Sequence, residues 1–238
     1  MRFCAIIDAH VHADAALLPY LGLCVVNART PKEYVFLKQA GQPLISAGIH
    51  PWDAATVSLQ EMEPILREAA AIGEIGLDCV WCDTNLDVQR AVFHRQLQLA
   101  AEWGKPVILH TKGMEREVLE TIRRYPNRYL VHWYSQEEYL EDYIRLGCWF
   151  TVGPQLEDAE VCTVAKRVPY DRLLMESDGL EGLRWGQNRQ VTAEEYPCIM
   201  DGLLENIAEL RGENAPELAE QMKYTLQTFL QIHTPLFK

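Results

Sequence analysis

Residues 71–110 read AIGEIGLDCVWCDTNLDVQRAVFHRQLQLAAEWGKPVILH, and this stretch decides the fold. It opens on an apolar run, Ala71–Ile75, and closes on another, Pro106–His110. Between them Leu86–Trp103 has helical periodicity. Phe93, Leu97 and Ala100 share one stripe, while Arg90, Arg95 and Glu102 lie off it. Gly104 is a stop signal, and Lys105-Pro106 opens the next run. Strand, helix and strand in that order make a βαβ unit, and near-continuous apolar strands suit a parallel sheet buried on both faces.

Working outward, six more apolar runs follow the same pattern: Phe3–Ile7, Leu23–Asn27, Pro43–Gly48, Tyr129–His132, Cys148–Val152 and Arg172–Glu176. Helix-like segments alternate with them at Pro31–Gln39, Leu59–Ala70, Glu115–Arg124, Gln136–Leu146 and Glu157–Lys166. The link Ala13–Leu21 is short and weakly helical, and Thr192–Arg211 and Ala215–Ile232 read as two terminal helices. No Gly/Ser linker, low-complexity tract or internal repeat interrupts residues 1–238, which read as one domain. Eight strands alternating with helices predict an α/β chain folded as a (β/α)8 TIM-type barrel, with room for distortion. The alternatives are an open doubly wound sheet, or a seven-stranded barrel if one run is not a strand.

Composition narrows the classes. The 238 residues are 48% hydrophobic and 24% charged, which excludes a disordered or collagen-like chain. No apolar run approaches the ~18 residues that span a bilayer, so no membrane partner is expected. The opening residues, with one basic side chain and an apolar run cut by Asp8, are too short for a signal peptide and read as a first strand. Seven cysteines, an odd number in a chain of this size, suit reduced thiols and a cytoplasmic setting. The net charge of −12 argues against a broad basic face for duplex DNA. It leaves room for a nucleotide or short single strand held by metal ions, which bring their own positive charge.

Chemically capable residues stand at or just past the ends of nearly every expected strand: Asp8, His10, His12 and Asp14, then His50, then Glu74 and Asp78, then His110, His132 and Asp178. In a barrel these ends meet on one rim. Five of the seven histidines lie there; His94 and His233 fall in helix-like segments. His10-Val-His12 puts two imidazoles on one face of an extended segment, half of a divalent-metal site, although two incidental histidines would look the same. Glu74 and Asp178 end apolar strands, where a carboxylate is costly unless it is ion-paired or metal-bound. His110 and His132, taken singly, read as satisfied structural residues. Together, four histidines and two carboxylates exceed what one metal needs and suit two divalent ions bridged by a carboxylate.

The ordered series Asp8-Ala-His-Val-His-Ala-Asp14, Gly48-Ile-His-Pro51, Gly73-Glu-Ile-Gly-Leu-Asp78, Gln89-Arg90 leading into Phe93 and Gln96-Leu97, Pro106-Val-Ile-Leu-His110, His132-Trp-Tyr-Ser135, Thr151-Val-Gly153 and Glu176-Ser-Asp178 resembles the TatD family of metal-dependent deoxyribonucleases, within the amidohydrolase-like barrels. The resemblance implies a two-metal hydrolase of phosphoester bonds in DNA or a nucleotide, single strands or ends ahead of duplex. His10, His12 and Asp178 would hold one metal and His110 and His132 the other, with Glu74 bridging. Asp178 would also take a proton from the attacking water. The two ions would be Mg2+, Mn2+ or Zn2+, and four histidines also admit Ni2+. His50 and Arg90 lie where substrate phosphate contacts could be made; strand-end packing and a helix-surface charge are their structural alternatives. Asp8, Asp14 and Asp78 would orient ligands from behind, or sit as solvated loop carboxylates.

The chain departs from the family at substrate-facing positions. His110-Thr-Lys112 stands where the family usually has His-x-Arg, and lysine lacks the fork that grips phosphate bidentately, although Lys112 remains a candidate substrate contact. Glu176-Ser-Asp-Gly-Leu180 replaces Glu-Thr-Asp-Ser-Pro, and His132-Trp-Tyr-Ser-Gln136 replaces His-x-Phe-Ser-Gly. Two competing readings follow. One keeps barrel and metals but cleaves an amide, lactone or phosphotriester; many such barrels bridge their metals with a carbamylated lysine, where this chain has Glu74. The other is a catalytically silent barrel acting as a binding protein. Cys79-Val-Trp-Cys82 has the spacing of a zinc or redox pair, but no second pair completes it, and loop cysteines beside the site are the simpler reading. Gly182–Asn188, with Arg184 and Trp185, reads as a lid or packing loop ahead of a base-stacking element.

Overall fold

The computed structural model describes residues 6–232. Phe3, Cys4 and Ala5 of the first expected strand lie outside these residues, as does His233. Eight strands form one sheet in sequential order: β1 (Ile7–His12), β2 (Leu23–Ala28), β3 (Ile45–Ala47), β4 (Ala71–Gly76), β5 (Val107–His110), β6 (Tyr129–Val131), β7 (Trp149–Val152) and β8 (Leu173–Met175). Helices alternate with them: α1 (Pro31–Gln39), α2 (Leu59–Glu68), α3 (Leu86–Trp103), α4 (Glu115–Ile122), α5 (Leu140–Leu146), α6 (Ala159–Arg167), α7 (Gly179–Gln187), α8 (Tyr196–Arg211) and α9 (Ala215–Leu230). This is the (β/α)8 TIM-type fold expected from the βαβ reading. A doubly wound sheet would reverse its strand order at a switch point, and this one does not.

Two compact units make up the chain. One contains residues up to Val25, Trp133–Glu137 and the chain from Trp149 onward; the other contains Val26–His132 and Glu138–Cys148. In the second unit β3 to β6 pair in parallel, and the register between β4 and β5 shifts between Ile72 and Ile75, where Glu74 sits. In the first, β7 pairs with β8, and the Asp178 N–H donates to the His10 carbonyl at 3.2 Å, joining the end of β8 to β1.

Local chemistry explains the element ends. The expected helix Leu86–Trp103 matches α3 end to end, because Asn85 caps its first turn through Asp87 N and Gly104 leaves it at φ 65°. Thr30 and Pro31 open α1 in the same way. Two expectations need correction. β1 runs Ile7–His12 instead of stopping at Ile7, so Asp8, His10 and His12 lie within the strand. Ile7, Ala9 and Val11 alternate with them, and Asp8 and His10 are themselves buried because partners await them. Gly182–Asn188 is no loop: α7 covers Gly179–Gln187. Its glycines serve close packing, since a β-carbon at Gly182 would lie 2.5 Å from the Ser177 carbonyl and one at Gly186 would lie 2.7 Å from Pro154.

The tightest approach is between β4 and β5. A β-carbon at Gly76 would lie 1.8 Å from the His110 carbonyl oxygen, which accepts the Leu77 N–H at 3.2 Å. We predict that Gly76→Ala forces these strands apart and lowers stability by about 2 kcal/mol or more, an overpacking cost. Urea denaturation measures it, and an unchanged midpoint would contradict the packing described.

Candidate metal centre

In the second unit a single carboxylate gathers the histidines. Glu74, in β4, is 1% exposed. Its Oε1 lies 2.6 Å from His110 Nδ1, 2.7 Å from His132 Nε2 and 3.4 Å from His50 Nε2. Donor atoms of His50, Glu74 and His110 all lie within 4.8 Å of one another. Glu74 Oε1, His110 Nδ1 and His132 Nε2 lie 2.6 to 3.4 Å apart, and ligands about 2.1 Å from a tetrahedral cation sit roughly 3.4 Å apart, so these three donors can close around a small divalent ion. Without such an ion, imidazole N–H groups share the carboxylate between them.

The surrounding groups aim this cluster. The Glu74 N–H donates to Asn27 Oδ1 at 2.9 Å, and Ser46 Oγ donates to the same atom at 3.0 Å. Asp78 is fully buried, and its Oδ2 lies 3.0 Å from His110 Nε2. A carboxylate on one ring nitrogen fixes the tautomer and leaves the other nitrogen facing Glu74. Burial alone would raise the Asp78 pKa, but hydrogen bonds from His110, Trp52 and the Trp81 and Val80 amides hold it well below the usual range. Burial also pushes His110 down, yet its bonds to Asp78 and Glu74 outweigh this and the His110 pKa is raised.

His50 behaves differently. Its Nδ1 accepts the Trp52 N–H at 3.2 Å, so a neutral ring carries its proton on Nε2, toward Glu74. Burial pushes its pKa down to about 4, so the ring is neutral at pH 7. It is a hydrogen-bond donor here, suited to an oxygen.

Two buried glutamines on α3 hold the loops that carry these groups. Gln96 brackets Ile49, accepting its N–H at 2.7 Å and donating to its carbonyl at 3.1 Å. Gln89 does the same for Asp78, both at 2.9 Å, and reaches the Thr84 carbonyl. The sequence reading gave no role to Asn27, Gln89, Gln96 or Trp52. The signal was present: Gln89 and Gln96 are polar residues on the apolar stripe of α3.

In the first unit Asp178 plays the gathering part. Its Oδ1 lies 3.4 Å from His10 Nε2 and 3.2 Å from His12 Nε2. His10 is fully buried, while His12 and Asp178 have side chains 31% and 23% exposed. Asp8 anchors this cluster from below. It is fully buried and accepts from Ser177 N at 3.1 Å, Ser177 Oγ at 2.5 Å, Tyr196 OH at 2.9 Å and His10 N at 3.3 Å. Burial raises its pKa to about 7 against the pull of those bonds. Asp8 is therefore a structural tie between β1, the end of β8 and α8, not a solvated loop carboxylate.

The remaining candidates lie elsewhere. The Arg90 guanidinium is taken by Glu117, at 2.6 and 3.0 Å, and by Asp87 at 2.9 Å, which matches the helix-surface alternative. Lys112 puts Nζ 4.5 Å from the Trp81 ring centroid. Asp14 caps the turn that follows β1 through Ala16 N. Cys79 and Cys82 are free thiols that donate to the Gly113 and Pro51 carbonyls. Trp185 is exposed and packs edge-on against Trp133 at 5.4 Å, while Arg184 pairs with Glu181.

Comparison with known proteins gives a consistent picture. The family profile described as TatD related DNase matches residues 7–231. The chain is 26% identical to the uncharacterized metal-dependent hydrolase YjjV of Escherichia coli, over 96% of this chain and 99% of that one. It is 30% identical to the 3'-5' ssDNA/RNA exonuclease TatD of Edwardsiella piscicida, over 71% of each. The crystal structure of YjjV superposes with a TM-score of 0.82 at 25% identity, covering 97% of this chain and 99% of that chain.

The Asp8 network yields a stability prediction. Tyr196→Phe removes one of four hydrogen bonds and costs about 1 kcal/mol, whereas Asp8→Ala strands buried donors and costs on the order of 3 kcal/mol. Equal effects in thermal or urea unfolding would contradict the assignment of Asp8 as the hub.

Proposed function

Because this chain belongs to the TatD related DNase family of metal-dependent hydrolases, we propose that it cleaves phosphodiester bonds of single-stranded DNA with the help of two divalent cations. The observation that carries this reading is the Glu74 carboxylate, buried and faced by three imidazoles at 2.6 to 3.4 Å. A structural role alone gives no reason to gather so many titratable groups around one buried oxygen.

In this reading His10, His12 and Asp178 would hold one cation, and Glu74, His110 and His132 would hold the other. When bound, Mg2+, Mn2+ or Zn2+ neutralise phosphate oxygens and activate water near neutral pH. The chain's own groups do the rest. Asp178, half-buried at the end of β8, is the base that takes the proton of the attacking water. Asp78 holds the His110 ring by its Nε2. The neutral His50 ring offers its Nε2 proton to a phosphate oxygen, and Lys112 gives a cationic contact for phosphate. Arg90 reaches substrate only by giving up Glu117. Residues 1–238 act as one catalytic domain, and no helix among the described residues is long and apolar enough to cross a membrane. The free thiols support a reducing, cytoplasmic setting.

The test is release of nucleotides from a single-stranded oligonucleotide by metal-stripped protein, with Mg2+, Mn2+ or Zn2+ added back. We predict metal-dependent cleavage that Glu74→Ala reduces to the level of the buffer control while the fold, read by circular dichroism, survives. No cleavage with any of the three cations, or cleavage unaffected by Glu74→Ala, would contradict the reading.

A further inference from the structure

The second unit carries two exposed indoles whose ring faces the chemistry around Glu74 does not use. Trp52, beyond β3, is 42% exposed, and Trp81, beyond β4, is 51% exposed. Single exposed aromatics are ordinary on protein surfaces. These two are not independent, because both hang on Asp78. Trp52 Nε1 donates to Asp78 Oδ2 at 2.7 Å, and the Trp81 N–H donates to Asp78 Oδ1 at 2.8 Å. The same Oδ2 meets His110 Nε2 at 3.0 Å. One buried carboxylate thus ties the Trp52 indole and the backbone that carries Trp81 to a histidine of the candidate metal centre.

A cation accompanies them. Lys112, beyond β5, lies over the Trp81 ring, and among the described residues no carboxylate lies within ion-pair reach of it. Arg29 lies 5.6 Å from the Trp52 ring, but Asp53 holds its guanidinium at 2.6 Å. Of these two, Lys112 is therefore the cation with charge to offer a ligand. Aromatic faces and an ammonium beside a phosphodiester site match one ligand chemistry, an unpaired nucleotide with its phosphate. Bases within a duplex have both faces covered, whereas a single strand presents them for stacking. The chain's net charge of −12 also leaves little room for a long basic groove, so a grip on the strand must be local and rest on stacking.

We propose that Trp81 with Lys112, together with Trp52, forms a base-stacking subsite that holds an unpaired nucleotide of the strand being cleaved and so selects single strands. This subsite rests on the nuclease reading above and adds to it the residues that recognise the substrate. Trp81 and Trp52 are positioning residues, since they grip the strand and do not touch the reacting phosphate.

The experiment compares two fluorescently labelled strands of equal length, an oligothymidylate and a chain of abasic residues, by anisotropy in EDTA so that binding is read without turnover. Stacking predicts that the protein binds the thymidylate at least about fivefold more tightly. Trp81→Ala removes most of that preference and leaves abasic affinity unchanged; Trp81→Phe, which keeps an aromatic face, retains it. Lys112→Gln weakens both strands alike and flattens the salt dependence by about one charge. A protein that cleaves the oligonucleotide yet binds both strands equally, or a Trp81→Ala variant with the full preference, overturns the subsite and leaves the nuclease reading standing. Failure to cleave any oligonucleotide with any cation overturns the nuclease reading, and the subsite with it.

Discussion

A carboxylate at 1% exposure is the constraint on which the rest of this structure turns. Removing the Glu74 charge from water costs several kcal/mol unless close partners offset it. The partners are the imidazoles of His110, His132 and His50, each delivered by a different stretch of chain. Much of the local architecture of the second unit follows from delivering them. Gly76 lets β4 lie against the His110 carbonyl. Asn27 receives the Glu74 amide and fixes where the side chain starts. Gln96 fixes the backbone just before His50, and Gln89 fixes Asp78. The Asp78 carboxylate, held ionised by its hydrogen bonds, then orients His110.

The first unit solves a similar problem by a different route. Asp8 is buried more completely than Asp178, and its pKa is raised to about 7 by that burial. Three of its four hydrogen bonds stitch β1 to Ser177 and Tyr196, which sets the backbone from which His10 and Asp178 project. The residue that carries the structural burden and the residue proposed to work on substrate are thus separate carboxylates in one cluster. This division leaves Asp178 half-buried yet open to solvent and chemically available.

How much of this was legible in the sequence depends on what each element is made of. The run from Ala71 to His110 was readable because strand, cap, apolar stripe and stop signal agree with one another. Periodicity also placed α1 and α3 at their observed ends. It failed at β1, where the apolar run breaks at Asp8 while the strand continues to His12. Tertiary partners, invisible in a local window, make a buried Asp and His tolerable there. It failed again at α7, read as a loop over Gly182–Asn188, where Gly182 and Gly186 serve close packing of a helix against Ser177 and Pro154. The histidines and carboxylates were found by their rarity at strand ends. Asn27 was not, and Gln89 and Gln96 entered only as pieces of the family motif with no role, because amides are common and only their burial marks what they do. Arg90 was singled out by the family resemblance, and the partner that occupies it, Glu117, is distant in sequence.

Acidic composition and a nucleic-acid substrate are compatible if the positive charge comes from bound cations at the site and from one or two local contacts such as Lys112, not from a basic surface. The account therefore stands or falls on cation binding by the two carboxylate–imidazole clusters. Anomalous diffraction from crystals soaked in Mn2+ or Zn2+ tests this most directly. The account predicts one strong peak within bonding distance of His110, His132 and Glu74, and another within bonding distance of His10, His12 and Asp178. Crystals with cation in excess and no peak at either cluster would contradict it.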